Sequence, residues 1–112
     1  NDKAGTPTYT QDFAKNVKLL IENDYYGLYN MVCGGLTTRI GVAEALLEIL
    51  DLQGKVKILK VKDGYFKDTY FAKRPRSERL INRRLNIQCI NIMREWKMCL
   101  REYIKEYYKN YL

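Results

Sequence analysis

The 112-residue sequence contains no histidine. This absence excludes the two commonest arrangements for nucleophilic catalysis, in which a histidine base activates a serine or a cysteine. The three cysteines, Cys33, Cys89 and Cys99, include no Cys-x-x-Cys pair, so a zinc site would need carboxylates to complete it. We therefore expect no metal site, and reduced thiols of which two are buried as small apolar residues.

Two glycine-rich phosphate-binding motifs, Gly-x-Gly-x-x-Gly and Gly-x-x-x-x-Gly-Lys, are also missing. A strand-to-helix turn explains Gly34 and Gly35 better than a phosphate site does. None of the ten tyrosines belongs to a Tyr-x-x-x-Lys pair, in which a lysine would help a tyrosine to transfer a proton. The sequence thus predicts neither a catalytic residue nor a cofactor-binding residue in this chain.

No run of about 18 apolar residues is present, and the N-terminus lacks the apolar core of a secretory signal. These absences predict a cytoplasmic protein with no membrane partner. The length and an apolar fraction of 46% fit one domain over residues 1–112.

The hydrophobic pattern predicts a mixed α/β fold. Apolar residues at helical spacing indicate three main helices at about 9–23, 38–51 and 91–111, the second capped by Thr37 or Thr38. Short β-prone runs predict strands at about 27–32 and 56–61, which would form a small sheet.

Positive charge is concentrated in the second half of the chain. Residues 1–70 contain nine Lys or Arg and nine Asp or Glu, whereas residues 71–112 contain eleven and four, which accounts for the net charge of +7. The stretch 73–85 alone has six cations and one acid. An anionic ligand is therefore expected to bind there, although Arg83 and Arg84 are interpreted as solvated charge near the last helix.

Several short segments occur in an order that is similar to a known family: Gly5 to Thr10, Phe13 and Ala14, Tyr26 to Asn30, Thr38 and Arg39, Arg74 and Pro75, Ser77, Leu80, Asn82, Trp96, Leu100, Tyr103 and Ile104. This set resembles the C-terminal third of the dTDP-4-dehydrorhamnose reductases, which are extended short-chain dehydrogenases. In that family an N-terminal Rossmann half carries the NAD(P) site and the Tyr-x-x-x-Lys pair, and the C-terminal part binds the nucleotide sugar.

The resemblance implies that residues 1–112 are the C-terminal portion of a Rossmann-type enzyme, a fragment that lacks the dinucleotide-binding domain. Asn1 and Asp2 do not look like a natural start. The implied partners are a dTDP-linked nucleotide sugar and the chain's own Rossmann domain, with NAD(P)H as the cofactor of the intact enzyme. Loss of that domain would expose apolar surface and favour self-association.

The resemblance also implies the substrate-binding residues. Arg74 and Ser77 match the Arg-Pro-x-x-Ser-x-Leu segment of the family, near the nucleotide end of the substrate. A guanidinium suits a pyrophosphate because it donates two parallel charge-assisted hydrogen bonds. Lys73 and Arg79 are further candidates, and the preceding aromatic loop adds Tyr70 as a candidate for contact with a nucleobase.

Other functions stay open on these residues. Nucleotide-sugar epimerases and dehydratases share much of the pattern, and so does the regulatory subunit of methionine adenosyltransferase. Gly41 stands where relatives more often have a polar residue, which leaves the identity of the sugar open. A basic protein that binds nucleic acid is the less favoured alternative, and its affinity would fall steeply with salt.

Overall fold

The computed structural model describes residues 3–66, 68, 69, 72 and 74–108. Its elements are β1 (Ala4–Gly5), α1 (Thr10–Glu22), β2 (Thr37–Thr38), α2 (Arg39–Ile49), a 3-10 turn (Asp63–Phe66), α3 (Arg83–Ile87) and α4 (Trp96–Tyr107). The mixed α/β class is confirmed. None of these helices is long and apolar enough to cross a membrane.

A small sheet joins three distant parts of the chain. Strands β1 and β2 pair antiparallel, with Ala4 opposite Thr38 and Gly5 opposite Thr37. On its other side Ala4 forms a parallel bridge with Ser77. The N–H of Ala4 donates to the carbonyl of residue 76 at 2.9 Å, and its carbonyl accepts from the N–H of residue 78 at 2.9 Å. The N-terminus therefore aligns the cationic segment with the start of α2.

The predicted strand at 27–32 is wrong, because side chains rather than a neighbouring strand hold this segment. The side-chain amide of Asn82 accepts from the N–H of Val32 at 2.9 Å and donates to its carbonyl at 2.7 Å. The Arg84 guanidinium donates to the carbonyls of Tyr26 and Leu28. These bonds take the place of a strand ladder on one edge of the segment.

The predicted strand at 56–61 is also wrong. Among the described residues this segment belongs to no ladder, and its side chains do not alternate between buried and exposed. Val56 is 48% exposed and Leu59 is 74% exposed. A half-buried strand requires one covered face, and only Ile58 and Val61 of this segment are half-buried, three positions apart instead of two.

The first two predicted helices are confirmed, and the third is shorter than expected. Helix α2 starts with the predicted cap, in which Thr38 Oγ1 accepts from the N–H of Gly41 at 3.1 Å. Helix α4 begins only at Trp96, because side chains of α1 hold the preceding backbone: the N–H of Ile92 donates to Asn16 at 3.1 Å. The predicted helical positions beyond residue 108 lie outside the described residues.

The buried core is small and includes two thiols. Cys33, Ala45, Trp96 and Cys99 form one buried cluster, joined at its edge by partly buried side chains such as Leu100. Cys33 and Cys99 are buried and Cys89 is exposed, which confirms the prediction that two cysteines serve as small apolar residues. The core lies between α2 and α4 and fixes the start of both helices.

Candidate functional site

A first cleft, of about 150 Å³, lies where β1, β2, the start of α2 and the cationic segment meet. Three of its lining residues are cations, Lys3, Arg39 and Arg74, and Glu78 is the one acid among the described lining residues. The other lining residues are small or carry hydroxyl groups: Ala4, Gly5, Thr6, Pro7, Thr37, Thr38 and Val42. The cleft therefore combines a net positive charge with several hydrogen-bond donors.

The local sequence explains how Arg74 reaches this cleft. Pro75 fixes its own φ and keeps the preceding residue out of helical geometry, so Arg74 enters in an extended conformation. Two residues later Ser77 bridges to Ala4. Because β1 is bonded on both sides, the segment that contains Arg74 and the start of α2, with Arg39, lie on opposite sides of one short strand.

A second and larger cleft, of about 640 Å³, shares Thr6 with the first. Its lining includes four asparagines, Asn30, Asn82, Asn86 and Asn91. Three of their amides are linked: Asn91 donates to Asn86 at 2.6 Å, and Asn82 donates to Asn91 at 3.3 Å. Such fixed amides can orient polar groups of a ligand without adding charge.

The predicted substrate-binding residues are divided between these neighbouring clefts. Arg74 lines the first cleft and Arg79 lines the second. Ser77 lies between them in the bridge to Ala4. Tyr70 and Lys73 fall outside the described residues.

Several residues of the clefts were not predicted. Lys3 and Arg39 line the first cleft. Lys3 belongs to no motif, and Arg39 belongs to the family resemblance without being identified there as a binding residue. The asparagines of the second cleft gave only a weak signal in the sequence. Three of them lie within one stretch of ten residues in the cationic second half of the chain.

Arg84 is exposed, in agreement with its interpretation as solvated charge, but its guanidinium also makes contacts that the sequence did not predict. Its guanidinium lies 4.5 Å from the centre of the Tyr29 ring and donates to two backbone carbonyls. Gly27 permits this approach, because it adopts a φ of +119° and a Cβ there would collide with the Arg84 guanidinium. Arg84 therefore positions the 26–32 segment.

A partly buried ionic network joins Asp12, Arg94 and Glu102. Asp12, only 2% exposed, accepts two hydrogen bonds from the Arg94 guanidinium, at 2.9 and 2.8 Å. The hydrogen bonds from Arg94 hold the pKa of the Asp12 carboxyl below its usual range, and Asp12 with Glu102 raises the pKa of Arg94. The network links α1 to the segment that leads into α4.

The same network contains three groups that could ligate a metal. Donor atoms of Asp12, Cys33 and Cys99 lie within 4.8 Å of one another. Both oxygens of Asp12 are engaged by Arg94, however, and burial raises the pKa of the Cys99 thiol to about 12. The thiol therefore stays protonated and donates to Asp12 at 3.3 Å, so this arrangement fits a hydrogen-bonded core better than a metal site.

The paired glycines ahead of β2 do not fit a dinucleotide cofactor. The N–H of Gly34 donates to the carbonyl of Arg94 at 2.9 Å and is not free for a phosphate. Gly35 has a φ of +89°, and a Cβ there would meet the Glu95 carboxylate and the Trp96 ring. These glycines serve the packing of the turn against the start of α4, a contact that the predicted strand-to-helix turn did not include.

Comparison with known proteins identifies the relatives of this chain. The profile of the RmlD substrate binding domain matches residues 1–109. A dTDP-4-dehydrorhamnose reductase, an RfbD ortholog from Clostridium acetobutylicum ATCC 824, is 33% identical, with a TM-score of 0.85 over 93% of this chain. A dTDP-4-dehydrorhamnose reductase from Bacillus anthracis str. Ames, solved in complex with NADP, is 25% identical, with a TM-score of 0.84 over 94% of this chain.

This chain spans 36% of the length of each of these two reductases. No curated protein sequence matches it. The similarity therefore concerns one part of each solved reductase.

Proposed function

The chain belongs to the RmlD substrate binding domain family, and from that membership we propose that it forms the nucleotide-sugar-binding part of an NAD(P)H-dependent reductase. The proposed reaction is the reduction of dTDP-4-dehydrorhamnose to dTDP-rhamnose. This chain would hold the substrate, and a dinucleotide-binding domain of the same enzyme would hold the cofactor and the proton-transferring residues. In this enzyme residues 1–112 would form a single substrate-binding domain.

The observation that carries the proposal is the convergence of Lys3, Arg39 and Arg74 on the first cleft. A nucleoside diphosphate carries its negative charge on two adjacent phosphates, and charge-assisted hydrogen bonds from Arg and Lys are the strongest available to bind it. The start of α2 adds a favourable dipole on the same side. In the proposed complex the pyrophosphate therefore lies in the first cleft.

The second cleft suits the sugar. Its larger volume and its linked asparagines offer neutral donors and acceptors, which match hydroxyl and carbonyl groups. Because the two clefts share Thr6, one nucleotide sugar can extend from the first to the second. Ser77 and Arg79 would then lie along the bound molecule.

Replacing Arg74 tests the phosphate contact. We expect Arg74→Ala to weaken the binding of dTDP to this chain by roughly tenfold to a hundredfold, since a hydrogen bond to a charged group contributes about 1.5–3 kcal/mol. Isothermal titration with dTDP measures the change. The matched control is Arg101→Ala, which removes the same charge from an exposed position on α4.

Equal loss of affinity in both variants would reduce the effect to net charge and contradict the assigned contact. Absence of dTDP binding by the folded parent chain would contradict the proposed function itself. Circular dichroism establishes that each variant retains the fold before its affinity is compared.

A further inference from the structure

A run of lysines follows α2 and lies apart from both clefts. Residues 55–62 read Lys-Val-Lys-Ile-Leu-Lys-Val-Lys, with four lysines and no acid. None of the described residues in this lysine run lines the first or the second cleft. Its positive charge is therefore available to an anion other than the one proposed to bind Arg74.

Three of the four ammonium groups in the lysine run have no counter-ion on the described part of the surface. Lys60 lies 3.6 Å from the Glu44 carboxylate, and both of these side chains are more than half exposed. Lys55, Lys57 and Lys62 form no ion pair with a described residue. Eight extended residues span at most about 28 Å, so these long side chains can all reach one flat surface.

Apolar side chains of the same segment are exposed beside the lysines. Val56 is 48% exposed and Leu59 is 74% exposed. The 3-10 turn follows directly, because the N–H of Tyr65 donates to the carbonyl of Lys62 at 3.0 Å. Tyr65 is 68% exposed, and its ring packs edge to face on that of Phe66 with the ring centres 4.8 Å apart. Exposed apolar groups beside unpaired lysines mark a surface that binds a partner.

An anionic membrane surface matches both features of this segment. Acyl chains accept an aliphatic side chain such as Leu59, and a tyrosine ring favours the boundary between the headgroups and the acyl chains. Lipid phosphates attract the lysines, whose stems lie against apolar groups while their ammonium groups stay hydrated. At an interface between two protein domains, by contrast, each lysine would lose its water and need a carboxylate partner.

Nucleic acid and a second copy of the chain match this segment less well. Arginine is the residue that recognises phosphates through paired hydrogen bonds, and residues 40–73 contain no arginine. Nucleobases stack on aromatic rings but offer no apolar site for Val56 and Leu59. A second copy would bring another net charge of +7, and like charges repel.

We propose that residues 55–66 bind the surface of an anionic membrane, with the lysines among the lipid headgroups and with Leu59 and Tyr65 inserted where the headgroups meet the acyl chains. Such a segment lies in the interface and does not cross the membrane, so the absence of a spanning helix from the described residues is compatible with it. The expectation of no membrane partner rested on the lack of a long apolar run, which surface binding does not require. Membrane binding is independent of the proposed function.

Co-sedimentation of the 112-residue chain with vesicles tests this surface. One set of vesicles contains phosphatidylglycerol and phosphatidylcholine in equal parts, and the other contains phosphatidylcholine alone. We expect the chain to bind the anionic vesicles at about 0.1 M salt, and to bind them about tenfold more weakly at about 0.5 M salt, where the charges are screened. We expect no binding to the neutral vesicles.

A matched pair of double variants assigns the charge to the lysine run. Lys57→Gln with Lys62→Gln should weaken binding to the anionic vesicles about 25-fold, since each lysine at such a surface contributes about fivefold. Lys15→Gln with Lys105→Gln removes the same charge from exposed positions on α1 and α4, and its effect should be much smaller. Circular dichroism checks that each variant retains the fold.

A second matched pair tests the inserted apolar side chain. Leu59→Ser should weaken binding to the anionic vesicles about tenfold, because an inserted leucine leaves water. Ile21→Ser replaces a side chain on α1 that is 71% exposed, and it should leave vesicle binding unchanged. Binding of a double-stranded DNA is measured alongside and should be weaker than binding of the anionic vesicles.

Absence of binding to the anionic vesicles at low salt would overturn the inference. Equal binding to the neutral vesicles, or equal losses in the two double lysine variants, would overturn it as well. Equally tight binding of the DNA, together with no effect of Leu59→Ser, would assign the lysine run to polyanions in general and contradict a membrane site. These measurements use no nucleotide sugar, so a failure of dTDP binding and a failure of membrane binding are distinguished from each other.

Discussion

Arg94 binds two carboxylates of very different exposure, and this difference determines what each contact contributes to stability. The Asp12 side chain is 3% exposed and the Glu102 side chain 37% exposed. A buried carboxylate that loses its partner is left without water to replace it, whereas an exposed one is hydrated. The contact to Asp12 is therefore the one on which the link between α1 and the residues before α4 depends.

We expect Asp12→Asn to lower the free energy of unfolding at neutral pH by about 2–3 kcal/mol, less than for a fully buried pair because Arg94 is partly hydrated. The pKa of Asp12 is lowered in the folded state, so its contribution is present above the ordinary carboxyl range and is lost as pH falls through the folded-state pKa. Urea titrations at neutral and acidic pH measure both effects. The difference between parent and variant should shrink below about pH 4.

Glu102→Gln is the control for this prediction, since it removes an exposed partner of the same guanidinium. Its effect should be clearly smaller than that of Asp12→Asn. Equal losses in the two variants, or a difference between Asp12→Asn and the parent that does not depend on pH, would contradict the assigned role of the buried carboxylate.

At the scale of elements, the start of α2 depends on one hydroxyl. Thr38 caps the helix through the N–H of Gly41, and glycine fits at position 41 because a Cβ there would collide with the Thr37 hydroxyl. This packing gives a structural reason for the glycine at position 41. The same turn faces the first cleft, so its geometry also positions Arg39.

We expect Thr38→Ala to lower the free energy of unfolding by about 1 kcal/mol, because an N-terminal N–H loses its acceptor. Thr38→Ser retains the hydroxyl and should stay within a few tenths of a kcal/mol of the parent. Thermal and urea unfolding measure both variants. A serine variant as unstable as the alanine variant would mean that the methyl group, and not the cap, carries the effect.

The elements that were predicted correctly are those whose signal is local. The apolar residues of α1 and of α2 recur at helical spacing within each helix, so this periodicity alone locates both helices. The segment 27–32 was predicted as a strand from its composition, but whether a strand forms depends on a partner that the pattern does not specify. Here Asn82, fifty positions from Val32 in the sequence, takes the partner's place on one edge.

The candidate site was predictable to a similar extent. Arg74 was identified by a resemblance that depends on consecutive residues, and it does line a positively charged cleft. Lys3 and Arg39 reach the same cleft only through the pairing of β1 with β2. That pairing spans more than thirty positions and involves two residues on each strand, which is too short a signal for any periodicity.

At the scale of the whole molecule, the chain is flatter than a typical domain. Its radius of gyration is 16.6 Å, against about 13 Å expected for a compact domain of this length. Its smallest dimension is 21 Å, room for about two layers of helices. A thin molecule buries few side chains completely, which agrees with the small core around Trp96.

We therefore expect the isolated chain to self-associate weakly through its exposed apolar surface, and more strongly at about 0.5 M salt, where the repulsion between net charges of +7 is screened. Sedimentation velocity over a range of concentrations measures this. The double variant Leu28→Ser, Ile87→Ser should remain monomeric, whereas Leu59→Ser, at an exposed site elsewhere, should not change the association. A parent chain that is monomeric at every salt and concentration would contradict the prediction.

The bond between Asp12 and Arg94 has a consequence for how the chain is made. It joins residues 82 positions apart, and the bond from Asn16 to the carbonyl of Ile90 joins residues 74 positions apart. During synthesis α1 leaves the ribosome long before Ile90 and Arg94 have been added to the chain. Until the residues just before α4 have been added, Asp12 and Asn16 of the first helix have only water as their partner, so the packing of this helix is completed late in the synthesis of the domain.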